Sequence, residues 1–151
     1  MISSVVLTFL LFILATSIHL VGVSRACSHA YAIKNRLLAS LSILSALFIL
    51  HCLSAGILGV GFWAGEQIGL GSFRDEPSME AMDYFCFSLI NITTLGLGDI
   101  YPVGHLRFMA GIESLAGFLL ISISASYIFR FITKSVFLFS STVLTFAQFS
   151  T

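Results

Sequence analysis

Residues 93–102 read Thr-Thr-Leu-Gly-Leu-Gly-Asp-Ile-Tyr-Pro. The glycines at alternate positions, Gly96 and Gly98, permit backbone angles that other residues resist. A strand of this kind can turn successive carbonyls toward one line, and a ring of carbonyls can replace the water shell of a dehydrated cation. The setting decides how the stretch is read. The apolar segment before it, residues 78–92, is too short to cross a bilayer and contains Glu80 and Asp83. Irregular backbone at membrane depth is costly unless protein or water meets its polar groups. A short helix followed by a glycine-bearing strand therefore suits a re-entrant element.

Outward from this centre, three runs reach the length of about 20 apolar residues that a crossing needs. They cover residues 2–23, interrupted by His19; residues 37–64, with no charge inside; and residues 108–129, with Glu113 near the start. The whole chain agrees. Of its 151 residues, 58% are hydrophobic and 9% charged, against about a quarter charged in a soluble domain. Seven basic and seven acidic residues cannot solvate a globule of this size, which argues against a cytosolic enzyme. A net charge of zero leaves no basic surface for nucleic acid. Two prolines do not make a Pro-rich disordered chain. Cys27, Cys52 and Cys86 form neither a disulfide framework nor a metal-ligand spacing. The first run has no basic segment before it and exceeds a signal-peptide core in length; it is expected to stay as a span.

The basic residues set the orientation. Arg25, Lys34 and Arg36 lie between the first two runs, and Arg130 and Lys134 follow the third; only Arg74 and Arg107 lie in the long second connection. The first connection and the C-terminus are expected in the cytoplasm, with the N-terminus outside. After Lys134, Val136, Phe139, Val143 and Ala147 recur at helical spacing, as an interfacial helix or an extension of the third span.

The 93–102 stretch resembles the signature of the potassium-channel pore family, Thr-x-Gly-Tyr/Phe/Leu-Gly-Asp. The likeness covers residues 37–130. Ala81-Met82-Asp83-Tyr84-Phe85 onward to Thr94 is similar to the family's pore helix. Asp99-Ile100-Tyr101-Pro102 resembles its filter exit, and Arg107 with Glu113-Ser114-Leu115-Ala116-Gly117 the start of its inner helix. The resemblance does not cover the first span or the tail; with the three apolar runs, it implies an all-α membrane protein with three transmembrane helices and a re-entrant pore helix and filter loop between the second and third. One membrane domain, 1–151, would comprise an extra N-terminal span (1–24), a pore domain (37–130) with pore helix 78–92 and filter 93–99, and a tail (131–151).

Carried over by position, the resemblance assigns ion-binding roles to Thr94, Leu95, Gly96, Leu97 and Gly98. Thr94 would give hydroxyl and carbonyl to the innermost potassium site, and Leu95, Gly96 and Leu97 carbonyls to the sites outside it. Gly98 would form the outer mouth and Asp99 sit behind the filter near the external surface. Thr93, Phe87 and Glu113 would support the filter, and Gly117 would be a hinge. One loop per chain cannot ring an ion, so a homotetramer is implied. The sequence also departs from the family. Leu97 replaces the usual aromatic, Cys86 and Phe87 stand where many members carry two tryptophans, and Ile90 stands where some carry a glutamate that pairs with the filter aspartate. The hydrogen-bonded aromatic cuff is absent, and packing of Leu97 on Phe87 is expected in its place.

Several residues have two readings. Pro77 suits the first turn of the pore helix, or a simple loop turn, and Glu80 its positive end; the carbonyls at the other end would help hold a cation. Glu113 either hydrogen-bonds the pore loop or snorkels outward toward Arg107. Gly117 is either a hinge or a close-packing point, and Gly61, Gly65 and Gly69 form a repeated Gly-x-x-x-Gly that permits helix contact, with Gly69, at the outer end of the span, read either as part of it or as loop. His19 and His51 read as packed residues rather than ligands, and Cys52 and Cys86 as small apolar residues.

The expected function is a tetrameric channel that passes potassium passively across a plasma or inner membrane. Its partners would be copies of itself, membrane lipid and potassium ions, with no nucleic acid. No enzymatic activity is expected, and no cofactor beyond the permeant potassium. The alternatives are a weakly selective cation channel and a non-conducting, channel-like regulatory subunit. No span carries the row of Arg or Lys that a voltage sensor needs. The charge asymmetry yields a direct expectation: a reporter fused after Lys134 is cytoplasmic. A reporter found outside would reverse the assigned topology.

Overall fold

The structure is a computed structural model that describes residues 2–74 and 78–148, with side chains through residue 133. Residues 2–32 contain no proline and a single glycine, Gly22, so nothing stops a helix. Helix α1 accordingly runs Ile2–Ala32, and Arg25 lies inside it rather than in a loop. The turn that follows is three residues long, because Asn35 caps α2 (Arg36–Gln67): its Oδ1 accepts from the Leu37 and Leu38 N–H groups at 3.0 and 3.3 Å. Beyond α2, Gly69 adopts φ +72°, so the third glycine of the repeat lies in the turn, not on the helix. Strand β1 (Phe73–Arg74), helix α3 (Ala81–Ile92), strand β2 (Tyr101–Pro102) and helix α4 (Leu106–Gln148) complete the order.

Helices α1, α2 and the 106–133 part of α4 are each long and apolar enough to cross a membrane. The protein is an all-α membrane protein with three transmembrane helices. The backbone of the tail continues α4 without a break to Gln148. The side chains of Lys134, Val136, Phe139, Val143 and Ala147 lie outside the described residues, as do Asp75, Glu76 and Pro77.

Mostly small residues bring the long helices together. The buried face of α1 includes Thr8, Ala15, His19, Val23, Cys27 and Ala30. Small side chains let helix backbones approach in lipid, where burying apolar surface by itself gives no drive. Three apolar clusters fill the interior. One, at the α1–α2 turn, joins Val23, Cys27, Ile43, Leu47 and Phe131. One, midway, joins Ala15, Ala55, Leu58, Ile92 and Leu120. The third, at the opposite end, contains Phe62, Phe73, Tyr84, Phe87 and Met109. In it the Phe87 ring meets Phe62 at 4.9 Å and Phe73 at 5.1 Å, both near edge-to-face, the arrangement the ring quadrupole favours.

Helix α3 is wedged between α2 and α4. Its first turn is closed by Glu80 N–H donating to Asp83 Oδ2 at 2.8 Å, so the helix begins at Ala81 rather than residue 78. The wedge is tight at both neighbours. A Cβ at Gly59 of α2 would sit 3.0 Å from the Tyr84 carbonyl, and one at Gly117 of α4 would collide with the Ile92 carbonyl. Close packing thus accounts for Gly117 with α4 helical on both sides of it. A two-stranded clasp ties the segments flanking α3 together: Phe73 pairs with Pro102 and Arg74 with Tyr101. Val103 N–H donates to Ser72 O, and His105 N–H to Leu70 O, both at 2.8 Å.

The contact at Gly117 predicts that Gly117→Ala destabilises the protein by about 1–3 kcal/mol, the usual cost of overpacking. The midpoint of thermal unfolding in detergent should fall. An unchanged midpoint would mean that α3 and α4 do not touch there.

Candidate functional site

The site is built at the C-terminal end of α3. Thr93 Oγ1 donates to Ile90 O at 2.9 Å, Thr94 N–H to Asn91 O at 2.9 Å and Leu95 N–H to Ile90 O at 3.2 Å. The Ile90 and Asn91 carbonyls are therefore occupied within the chain, which lessens their availability to a cation. Beyond Leu95 the backbone is irregular until Tyr101.

In this stretch φ is positive at Thr94 (59°), Gly96 (58°) and Gly98 (77°), and not at Leu95 or Leu97. In an ordinary strand successive residues face opposite sides. Alternating the sign of φ swings successive peptide groups to one side, the principle behind backbone nests. Thr94 is the one non-glycine residue with positive φ among the described residues, a conformation that costs an L-residue roughly 1–2 kcal/mol. Such local cost is typical of functional segments. All of residues 93–99 are exposed, with Leu95 at 68% and Leu97 at 62%.

Asp99 is exposed, and its Oδ1 accepts from the Ile100 N–H at 3.0 Å. Phe87 and Leu97 border the same small cleft, together with Cys86, Ile90 and Asn91. The Phe87 ring is committed to Phe62 and Phe73. The expected packing of Leu97 on Phe87 leaves Leu97 mostly uncovered within one chain.

Behind the strand, a polar row on α3 fastens the helix to its neighbours. Tyr84 donates its hydroxyl to Glu66 at the end of α2. Burial first, and Glu66 second, push the Tyr84 phenol up to about 12, so it remains a donor at neutral pH. Ser88 donates to the Ala55 carbonyl of α2 at 2.7 Å and meets Glu113 of α4. Asn91 Nδ2 donates to Glu113 Oε2 at 2.6 Å and to Ala110 O at 2.9 Å, while its Oδ1 accepts from Ser114 Oγ at 2.9 Å. Glu113 is 1% exposed, and its carboxyl faces α3 rather than solvent. Sequence reasoning missed Ser88, Asn91 and Ser114. The signal was there: Tyr84, Ser88 and Asn91 stand four and three apart, one polar row on a helix that is apolar elsewhere beyond Asp83 of its first turn.

The Ser88 hydroxyl has one proton and two oxygens to serve, Ala55 O and Glu113 Oε1. The count closes when the Glu113 carboxyl carries a proton and donates it to Ser88 Oγ, leaving Ser88 to donate to Ala55. Glutamine offers the same pair, an N–H toward Ser88 and an oxygen toward Asn91. Glu113→Gln is therefore expected to keep the thermal stability of the protein, and Glu113→Leu to lose about 1–3 kcal/mol by stranding buried polar groups. Equal losses in both variants would refute the proton assignment.

Among the described residues, no group of three His, Cys, Asp or Glu side chains is placed to hold a metal ion. No curated protein and no solved structure matches the chain. The family model described as "Ion channel" matches residues 37–134, which takes in α2, the β1–β2 clasp, α3, the irregular strand and α4 as far as Lys134. This match spans more than half of the 151 residues, and the chain belongs to the ion-channel family.

Proposed function

We propose that four copies of the chain assemble around one axis into a potassium channel whose selectivity filter is residues 93–99. The observation that carries this reading is the alternation of φ from Thr94 to Gly98, on a strand that the described residues of its own chain leave exposed. In the tetramer, Thr94 supplies hydroxyl and carbonyl to the innermost ion site. Leu95, Gly96 and Leu97 supply carbonyls to the sites outside it, where they stand in for the hydration shell of potassium. Gly98 shapes the outer mouth, and Asp99 lies behind it. α3 is the re-entrant pore helix. Thr93 supports the strand through its bond to the Ile90 carbonyl, Glu113 through its bonds to α3, and Phe87 through the aromatic cluster. Potassium moves passively, driven by about 2.3 kcal/mol per charge for each 100 mV across the membrane. The N-terminus faces outside and the C-terminus the cytoplasm of a plasma or inner membrane.

One observation favours weaker discrimination among cations. Leu97 has no polar side-chain atom, and Phe87 turns its ring toward Phe62 and Phe73. Packing of this kind is less directional than a hydrogen-bonded cuff, so it holds the carbonyl spacing less sharply.

Purified protein in a planar bilayer with opposed potassium and sodium gradients separates the readings. A reversal potential near that of potassium supports the proposal. One between the two ions supports the less selective pore, and no current supports a regulatory subunit. Gly96→Ala puts a methyl group at φ 58°, where alanine resists. Conduction should be lost with the tetramer still intact by mass measurement, and normal currents from this variant would remove the filter assignment.

A further inference from the structure

The family match begins at residue 37 and leaves α1 outside it. α1 nevertheless carries a fully buried imidazole to the place where α1, α2 and α4 meet. His19 is 0% exposed. Its Nε2 lies 3.0 Å from Ser124 Oγ of α4, and its Nδ1 lies 3.5 Å from Ser54 Oγ of α2. Both serines are buried as well. Counting protons assigns the roles. Ser54 gives its one proton to the Leu50 carbonyl at 2.9 Å, so toward His19 it can only accept, and His19 Nδ1–H is the donor. His19 Nε2 is then the acceptor for the Ser124 hydroxyl. The His51 ring stands edge-on against His19 with centroids 4.6 Å apart, and its own Nδ1–H donates to the Leu47 carbonyl at 2.8 Å.

This bracket differs in kind from the apolar part of the buried α1 face. Small and apolar contacts such as Ala15, Val23 and Cys27 have no fixed direction and tolerate sliding. A neutral imidazole with one donor and one acceptor fixes both rotation and depth. Ser124 lies on the buried face of α4 with Met109, Glu113, Ala116 and Leu120. The other face exposes Phe118, Ser122 and Ser126. Any turn or tilt of α4 that moves the exposed face moves Ser124 against His19.

We infer that His19 is a positioning residue that couples α1 to α4, so that the extra N-terminal helix sets the balance between two placements of α4 and thereby the opening of the pore. The inference rests on the channel reading above. The bracket holds α4 in the placement described here, and its loss shifts the balance away from that placement. The expected shift is about threefold per chain, and roughly 80-fold where four chains move as one, from the typical strength of interhelical hydrogen bonds in membranes.

Single-channel recordings of the full-length wild type, His19→Leu, Ser124→Ala, the double variant and His19→Gln test this. Thermal stability in detergent is measured alongside. His19→Leu and Ser124→Ala should shift open probability in the same direction, and the double variant no further than His19→Leu. His19→Gln, which keeps a donor and an acceptor, should stay near wild type, and unitary conductance should be unchanged throughout. Lower stability with unchanged open probability would reduce the bracket to a fastening and overturn the inference. Shifts that simply add in the double variant would also overturn it. A wild type that passes no cation current defeats the channel reading and this inference with it. Wild-type currents with unaltered gating in the variants defeat this inference alone.

Discussion

The fastening of α3 to α2 and α4 is the constraint on which everything else rests. A twelve-residue helix is too short to cross a bilayer, and its open ends would be costly in hydrocarbon. Both ends are met by protein. The first turn is closed by Glu80 and Asp83, and near the last turn the Ile90 and Asn91 carbonyls accept from Thr93, Thr94 and Leu95. Along its length Tyr84, Ser88 and Asn91 reach in turn to Glu66, the Ala55 carbonyl and Glu113. These bonds are directional, and they fix the depth and rotation of α3 in a way that apolar packing alone would not. The strand that follows inherits its starting point from that fixed end.

The two faces of the site are consequently unlike. Behind α3 the polar groups are paired and buried or half-buried, and the aromatic cluster fills the space toward β1. In front, residues 93–99 are exposed, two of them leucines. The strand has its side chains uncovered, and its φ changes sign at each step from Thr94 to Gly98. On its inner side the geometry is set by the end of α3, through the bonds of Thr93, Thr94 and Leu95 to the Ile90 and Asn91 carbonyls.

Much of the fold was legible because its signals are physical lengths. Three long apolar runs, a short one and a glycine-bearing loop locate α1 to α4 to within a few residues, except where a helix meets no breaker. That is why α1 passed residue 24 and absorbed Arg25, and why the tail joined α4. The start of α3 moved from residue 78 to Ala81 because a reciprocal first-turn bond between Glu80 and Asp83, not the apolar pattern, sets it. Glu113 stood out in the sequence as a carboxyl in an apolar run. Its partners Ser88 and Asn91 stood out less, because the polar row they form with Tyr84 is short beside the apolar residues around it.

The helix faces were the least legible part, and the reason is the solvent. In water, an interior stripe differs in polarity from the surface. In lipid both sides are apolar, so α1 buries Ala15, Val23 and Cys27 while presenting equally apolar Leu10, Ile13 and Val21 outward. What distinguishes the inner face is size and the rare polar group. By that criterion His19 was informative: an imidazole in an uncharged span has to find partners, and the partners available to it lie on the two helices that α1 must face. Polar residues in a membrane helix thus report packing direction even where hydropathy is silent, and Glu113 on α4 does the same for the contact with α3.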